Sequence, residues 1–278
     1  MTTAFLGLGA LGHAIAGRLI ATGTDLALWN RNPSRAAGLD APLAATPADA
    51  VAQADLVLLC LADSAAVRSL LHDQGLLAAC AGKLIVDTTT NHYRDVLDFH
   101  RDARAAGAAY LECPVAGSVV PASNGALTLL AGGRAEDLER ARPVLERMGS
   151  TLFHWEEPGL ATRMKLVNNQ ALGGIMAVLA EALKVGEAAG LDRARVLDVL
   201  AAGGGESLVL RAKKQKLQER DWSPHFKVAT IAKDLRYLLE LAGENGAAAP
   251  VAESVRTRFT DAAAQGRADL DFSAVEGS

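Results

Sequence analysis

Thr3-Ala4-Phe5-Leu6-Gly7-Leu8-Gly9-Ala10-Leu11-Gly12 decides the reading of this chain. A short apolar run passes through glycines spaced G-x-G-x-x-G into a stretch of helical periodicity. Gly7 allows a tight turn, Gly9 lets backbone approach a pyrophosphate, and Gly12 lets helix and strand pack closely. The helix N-terminus behind them offers unpaired N–H groups and a positive dipole end to an anion. Set between a strand and a helix, Gly7, Leu8, Gly9, Ala10, Leu11 and Gly12 read as a dinucleotide-binding turn.

Working outward, short apolar runs at residues 4–7, 25–29, 56–61, 84–87, 110–112, 127–130 and 151–154 read as strands. Several are continuous rather than alternating, as expected of strands covered on both faces. Helical periodicity fills the segments between them, 12–22 and 63–71 among them. This order argues for an α/β fold with a doubly wound, mostly parallel, Rossmann-type sheet. The rhythm stops after His154. One long helical pattern runs from Pro158-Gly159 to about Gly190, and everything beyond reads as helices punctuated by glycine and proline. The expected organisation is a Rossmann domain over residues 1–157, then a long interdomain helix and an all-α C-terminal domain over 158–278.

The chain has 278 residues, half of them hydrophobic, and a net charge of -4. That composition can bury a full core and excludes disorder. No cluster of Lys or Arg forms the stripe that nucleic acid needs. The densest basic stretch, Arg211-Ala212-Lys213-Lys214-Gln215-Lys216, reads as a solvated helix face. Three cysteines without CxxC spacing, and scattered histidines, argue against both a disulfide framework and a metal site. The N-terminus shows no basic region of a signal peptide, and the longest apolar stretch falls short of the ~20 residues of a membrane span. The expectation is a cytoplasmic protein that engages neither membrane nor nucleic acid.

About twenty residues after the glycine turn, an NAD site carries an acid for the ribose 2′-hydroxyl. Here the second strand ends in Asn30-Arg31-Asn32-Pro33-Ser34-Arg35. Arg31, with Arg35, suits a 2′-phosphate, Asn32 and Ser34 add donors, and Asn30, Arg31 and Asn32 are expected to contact the coenzyme, so NADPH is expected over NADH. Asp87-Thr88-Thr89-Thr90 places hydroxyls at the carboxyl edge of the sheet, where ligands bind. Lys165 and Asn169 stand i, i+4 on one face of an otherwise apolar helix. A lysine there can give a proton to a carbonyl oxygen as hydride reaches the carbon, and an amide beside it can orient the lysine or hold a hydroxyl.

With Glu112-Cys113-Pro114-Val115-Ala116-Gly117-Ser118, Lys165-Leu166-Val167-Asn168-Asn169 and Phe226…Lys233-Asp234-Leu235 following the glycine turn in order, the sequence resembles the β-hydroxyacid dehydrogenase family. It looks closest to the branch of glyoxylate and succinic semialdehyde reductases. The resemblance implies that Lys165 is the catalytic lysine, Asn169 its partner, and Leu61, Ala62, Thr90 and Lys233 cofactor contacts. It further implies that Ala116, Gly117 and Ser118 hold the substrate carboxylate, with Phe226 and Asp234 on the substrate side. One departure matters: the family pattern reads Pro-Val-Ser-Gly, and Ala116 replaces the serine, losing a hydroxyl worth ~1 kcal/mol, or about 3 to a charged group.

The expected activity is therefore NADPH-dependent reduction of a small aldehyde or keto acid of the glyoxylate or succinic semialdehyde type. Oxidation of 3-hydroxyisobutyrate or a related 3-hydroxy acid is the alternative. Imine reductases share the architecture but usually lack the lysine, and a non-catalytic NADP-binding module would be expected to lose it. The apolar helical half leads us to expect a homodimer or homotetramer.

Overall fold

All four residues of strand β1 (Thr3–Leu6) are buried because helices cover both faces of its sheet. The computed structural model describes residues 2–277. The other strands are β2 (Leu26–Trp29), β3 (Leu56–Leu59), β4 (Leu84–Asp87), β5 (Ala109–Glu112), β6 (Val115–Ala116), β7 (Leu127–Gly132) and β8 (Gly149–Trp155). Between them run helices α1 (Ala10–Ala21), α2 (Pro47–Val51), α3 (Ser64–Arg68), α4 (Leu76–Ala79), α5 (Asp95–Ala105), α6 (Val119–Ser123) and α7 (Ala135–Met148). Then come α8 (Leu160–Ala188), α9 (Arg193–Ala202), α10 (Leu208–Glu219), α11 (Val228–Glu244) and α12 (Pro250–Ala262). The fold class agrees with the α/β expectation. Strand β6 was not foreseen, since two residues are too short to carry a period.

The strand order is β2-β1-β3-β4-β5-β7-β6, with β8 beside β7. Strands β2 to β5 are parallel, β7 is antiparallel to β5 and β6, and β8 runs parallel to β7. The order reverses at β1, so the crevice beyond the carboxyl ends of β1 and β3 is where this class of sheet takes ligands. Side chains alternate between two cores. Phe5, Leu28, Leu58 and Val86 pack with Ile15 and Leu19 of α1 and Leu145 and Met148 of α7. Ala4, Leu6, Val57 and Ile85 pack on the other face with Val67, Val96 and Phe99.

Helix α1 rests directly on the turn that precedes it. Gly7 has a positive φ of 106°, and a Cβ on it would stand 2.3 Å from the Cys60 carbonyl oxygen. A Cβ on Gly12 would stand 2.0 Å from the Gly7 carbonyl oxygen, a distance no side chain survives. Gly9, by contrast, faces open space.

Tertiary packing divides the chain into two compact units, Met1–Lys165 and Leu166–Ser278. The glycines of α8 do not break it, and Gly173 and Gly186 serve close approach by its neighbours. A Cβ on Gly173 would meet Ile231 of α11 at 3.2 Å, and one on Gly186 would meet Val196 of α9 at 2.9 Å. The helix ends in a Schellman turn: Gly190 takes a positive φ of 82°, and the Leu191 N–H donates to the Gly186 carbonyl at 2.9 Å. The second unit closes around Leu183, Ile231, Leu235, Phe259 and Phe272.

The basic stretch at 211–216 is not wholly a solvated face. Lys213 and Lys216 are buried. The Lys213 ammonium donates to Asp271 at 2.7 Å, and Lys216 bonds Asp221 at 2.6 Å. Asp271 also accepts from the backbone N–H groups of His225 and Phe226 and from the Ser273 hydroxyl, so one buried carboxylate sets the loop that carries Phe226. Removing one partner from such a buried pair typically costs ~3–5 kcal/mol, which makes this a structural pair and not an exposed charge run. Among the described residues no helix is long and apolar enough to cross a membrane.

Candidate active site

The glycine turn is shaped by its neighbour strand. Asn30, at the end of β2, accepts the Leu8 N–H at 2.8 Å and donates to the Asn32 carbonyl at 2.8 Å. One amide thus ties the turn of β1 to the turn of β2. Asn32 accepts from the Ser34 backbone N–H at 3.1 Å and the Ser34 hydroxyl at 2.9 Å, capping the single helical turn Pro33–Ala36. A cleft lined by Leu8, Gly9, Ala10, His13, Ser34, Arg35 and Ala37 opens there, and α1 takes no side-chain cap at Gly9. The cradle fits a dinucleotide: free space over Gly9, helix amides facing it, and a cation beside it. Arg35 and His13 line the cleft. Arg31 is exposed on the same turn. His13 was missed in the sequence because nothing but the fold of residues 33–37 brings it to this edge. Another concavity, lined by Asp55, Leu56, Leu84, Glu139, Arg140 and Pro143, lies at the amino ends of β3 and β4, away from the edge that takes ligands.

At the ends of β3 and β4 the loops are laced together. The Thr88 hydroxyl donates to the Leu59 carbonyl at 2.7 Å, and the Leu61 N–H donates to the Thr89 hydroxyl at 3.0 Å. Thr88 and Thr89 therefore hold the loop of Leu61 and Ala62, while Thr90 is the more exposed member of the trio. Beneath them Asp87 is fully buried. It accepts from the Thr89 N–H at 2.9 Å, the Asn91 amide at 2.7 Å and the Tyr110 hydroxyl at 2.6 Å. Burial pushes the Asp87 carboxyl up from its ordinary range, against the pull of those donors.

Glu112 ends β5 beside Asp87, its register partner in β4. Its carboxylate accepts from the Gly159 N–H, from the Thr162 hydroxyl, and from the Thr162 N–H at 3.1 Å. These groups open α8, so a strand-end acid caps the helix that carries Lys165 three residues further on. Burial pushes the Glu112 carboxyl up to about 7, with its hydrogen bonds opposing that. Lys165 is 6% exposed, which is unlike a solvated helix lysine.

The chain after Glu112 forms β6, where Ala116 stands opposite Thr128 of β7. Gly117 follows with a φ of 122°, and a Cβ on it would meet Leu127 at 2.7 Å. The turn through Gly117 and Ser118 thus requires glycine on two counts. In the second unit Asn169 is fully buried and donates its amide to Asp234 at 2.6 Å. Asp234 pairs with Lys233 at 3.1 Å, and the Lys233 ammonium lies 5.1 Å from the centre of the Tyr237 ring. Phe226 is half-buried, edge-on to Phe272 at 5.6 Å. Asn169 and the Lys233-Asp234 pair, 65 residues from Asn169 to Asp234 in the chain, therefore form one cluster.

A mostly parallel sheet with a glycine cradle at its switch point defines the Rossmann class of dinucleotide-binding folds. The family of NAD-binding domains of 6-phosphogluconate dehydrogenase matches residues 2–156, and that of NAD-binding domains of NADP-dependent 3-hydroxyisobutyrate dehydrogenase matches 159–276. Glyoxylate/succinic semialdehyde reductase 1 of Arabidopsis thaliana is 31% identical, over 99% of this chain and 97% of its own. An NAD-dependent L-serine dehydrogenase of Pseudomonas aeruginosa is 34% identical, over 98% and 96%. The solved structure of 3-hydroxyisobutyrate dehydrogenase from Salmonella typhimurium matches with a TM-score of 0.94 at 25% identity, covering 100% of this chain and 99% of that one. The chain belongs to the β-hydroxyacid dehydrogenase family and is an NAD(P)-dependent oxidoreductase acting on hydroxyl and carbonyl groups.

The raised Glu112 carboxyl makes stability depend on pH. Between 4.5 and about 7 the folded chain holds a proton at Glu112 that the unfolded chain has released. The folded state is therefore destabilised as pH rises through that window. Urea denaturation across it is expected to show a smaller fall in stability for Glu112→Gln than for the unmodified protein; equal falls would contradict the burial of an ionising acid.

Proposed function

We propose that the protein reduces a small carboxylate-bearing aldehyde or keto acid, of the glyoxylate or succinic semialdehyde type, with NADPH. The observation that carries this reading is Lys165, a nearly buried ammonium in the first turns of α8 with Asn169 one turn on. When bound, NADPH supplies hydride from its nicotinamide C4. Lys165 holds a proton at Nζ and gives it to the carbonyl oxygen as that oxygen gains charge. The Asn169 amide, fixed by Asp234, orients the lysine or holds the nascent hydroxyl. Backbone N–H groups at Gly117 and Ser118 take the substrate carboxylate, a use suited to a glycine turn. Ala116 leaves that grip one hydroxyl short of the family pattern, to be made up either by the Ser118 hydroxyl or by a less polar substrate. Thr90, Leu61, Ala62 and Lys233 are proposed as coenzyme contacts, and Phe226 and Asp234 as substrate-side residues.

The alternative is oxidation of 3-hydroxyisobutyrate or a related 3-hydroxy acid, in which Lys165 would take the hydroxyl proton as hydride leaves the carbon, so the assay covers both directions. Glyoxylate and succinic semialdehyde are tested as oxidants, and 3-hydroxyisobutyrate and L-serine as reductants, each with both coenzymes. Lys165→Met is expected to lower kcat by about 10²–10⁴-fold while coenzyme binding persists. Activity that survives this change would defeat the proton-donor role.

Arg35 in the cleft and Arg31 on the same turn support a preference for the 2′-phosphate of NADPH. Replacing both, as Arg31→Asp with Arg35→Ala, should lower kcat/KM for NADPH by roughly 10–100-fold and spare NADH. Equal efficiency with the two coenzymes in the unmodified enzyme would overturn the assignment.

Val167, Ile175, Val178 and Val185 are exposed along one face of α8. A stripe of this kind supports self-association as a homodimer or homotetramer. Light scattering is expected to give a mass above the single-chain 28.9 kDa; a monomer would contradict it.

A further inference from the structure

Glu112 has no part in the chemistry described so far, yet its surroundings are built for its carboxylate. It is 1% exposed, and an acid is not normally left in such a place without compensation. Among the described residues its compensation comes from the start of α8. The Gly159 N–H, the Thr162 N–H and the Thr162 hydroxyl all point at it. These backbone groups belong to a helix N-terminus, where amides lack partners within the helix and a negative charge is favoured. The acid that meets them comes from the end of β5, 47 residues upstream of Gly159.

A second feature shows that room has been made for this side chain. Gly132 of β7 is the cross-strand partner of Glu112. A Cβ on Gly132 would stand 2.3 Å from Glu112 Oε1 and 2.8 Å from its Cδ. Gly132 is not among the glycines with positive φ, so its backbone conformation suits other residues. The glycine is there for space, and the space is occupied by the carboxylate.

We propose that Glu112 is a positioning residue for Lys165, fastening the first turn of α8 to the carboxyl edge of the sheet. Thr162 and Lys165 are separated by three residues, a rise of about 4.5 Å and a rotation of about 60° on one helix face. Holding Thr162 by both backbone and side chain fixes the axial position and the rotation of the helix where the lysine leaves it. The backbone of Glu112 also begins the Cys113–Ser118 segment that leads into the Gly117 turn. One residue therefore sets the lysine through its side chain and starts the carboxylate loop through its main chain. This inference rests on the reading of Lys165 as proton donor.

The test uses the full-length enzyme and the carbonyl substrate it turns over fastest. Glu112→Ala removes the anchor, Glu112→Gln keeps an acceptor at the same reach, and Gly132→Ala displaces the carboxylate without removing it. Misplacement of a catalytic group by about 1 Å costs on the order of 10²-fold, so Glu112→Ala and Gly132→Ala should lower kcat by roughly that factor. NADPH binding, read by fluorescence, should stay within about twofold, and Glu112→Gln should recover part of kcat. Hydrogen exchange at the amides of 159–166 should quicken in both alanine variants.

Full kcat in Gly132→Ala or Glu112→Ala despite faster exchange would overturn the proposal, as would unchanged exchange at 159–166. A fall in NADPH affinity matching the fall in kcat would also overturn it, since that marks general loss of structure. If Glu112→Ala does not fold, Gly132→Ala and Glu112→Gln carry the decision. Activity surviving Lys165→Met would bring down the underlying reading; an inactive Lys165→Met beside a fully active Gly132→Ala would bring down the positioning role alone.

Discussion

The contact between α1 and the turn beneath it constrains everything at the carboxyl edge of the sheet. With the Gly7 carbonyl only 2.0 Å from where a Cβ on Gly12 would be, the helix can sit there only if residue 12 has no side chain. That approach brings the first amides of α1 over the end of β1 and leaves open space at Gly9. The Asn30 bridge to Leu8 then sets the second turn against the first. The cleft with Arg35 and His13 is a consequence of those two close contacts, not of any single binding residue.

The same edge gathers two buried acids, Asp87 and Glu112, side by side in neighbouring strands. Burial raises both carboxyls, and each is offset by its own set of donors. Such groups are costly in a core, and they are tolerated where they organise backbone that hydrophobic packing cannot. Asp87 holds Thr89, Asn91 and Tyr110, and so the loop after β4. Glu112 holds the start of α8. In the second unit, Asp271 does comparable work for the loop of Phe226, and Asp234 for the amide of Asn169.

Much of this was legible in the chain because it depends on local spacing. The glycine turn, the i, i+4 pair of Lys165 and Asn169, the long helix through Gly173 and Gly186, and the change of rhythm after His154 are all short-range patterns. What was not legible involves partners distant in sequence. Nothing near Glu112 announces that Thr162 will bond it, nor does anything near Asn169 announce Asp234. The stretch at 211–216 looked like a solvated face because its counter-charges, Asp271 above all, lie elsewhere in the chain. Arg31 stands out as the first cation after β2, whereas only the capped turn at Pro33–Ala36 shows that Arg35 lines the cleft.

The sequence by itself determined the class of fold and the place of the glycine cradle. It could do so because strand and helix periods, and the steric demand of a turn for glycine, act within a few residues. Only the tertiary structure decided which charges are buried and which groups face them. Burial is a property of everything packed around a residue, and the free energy of a charge depends on that surrounding far more than on its neighbours in the chain.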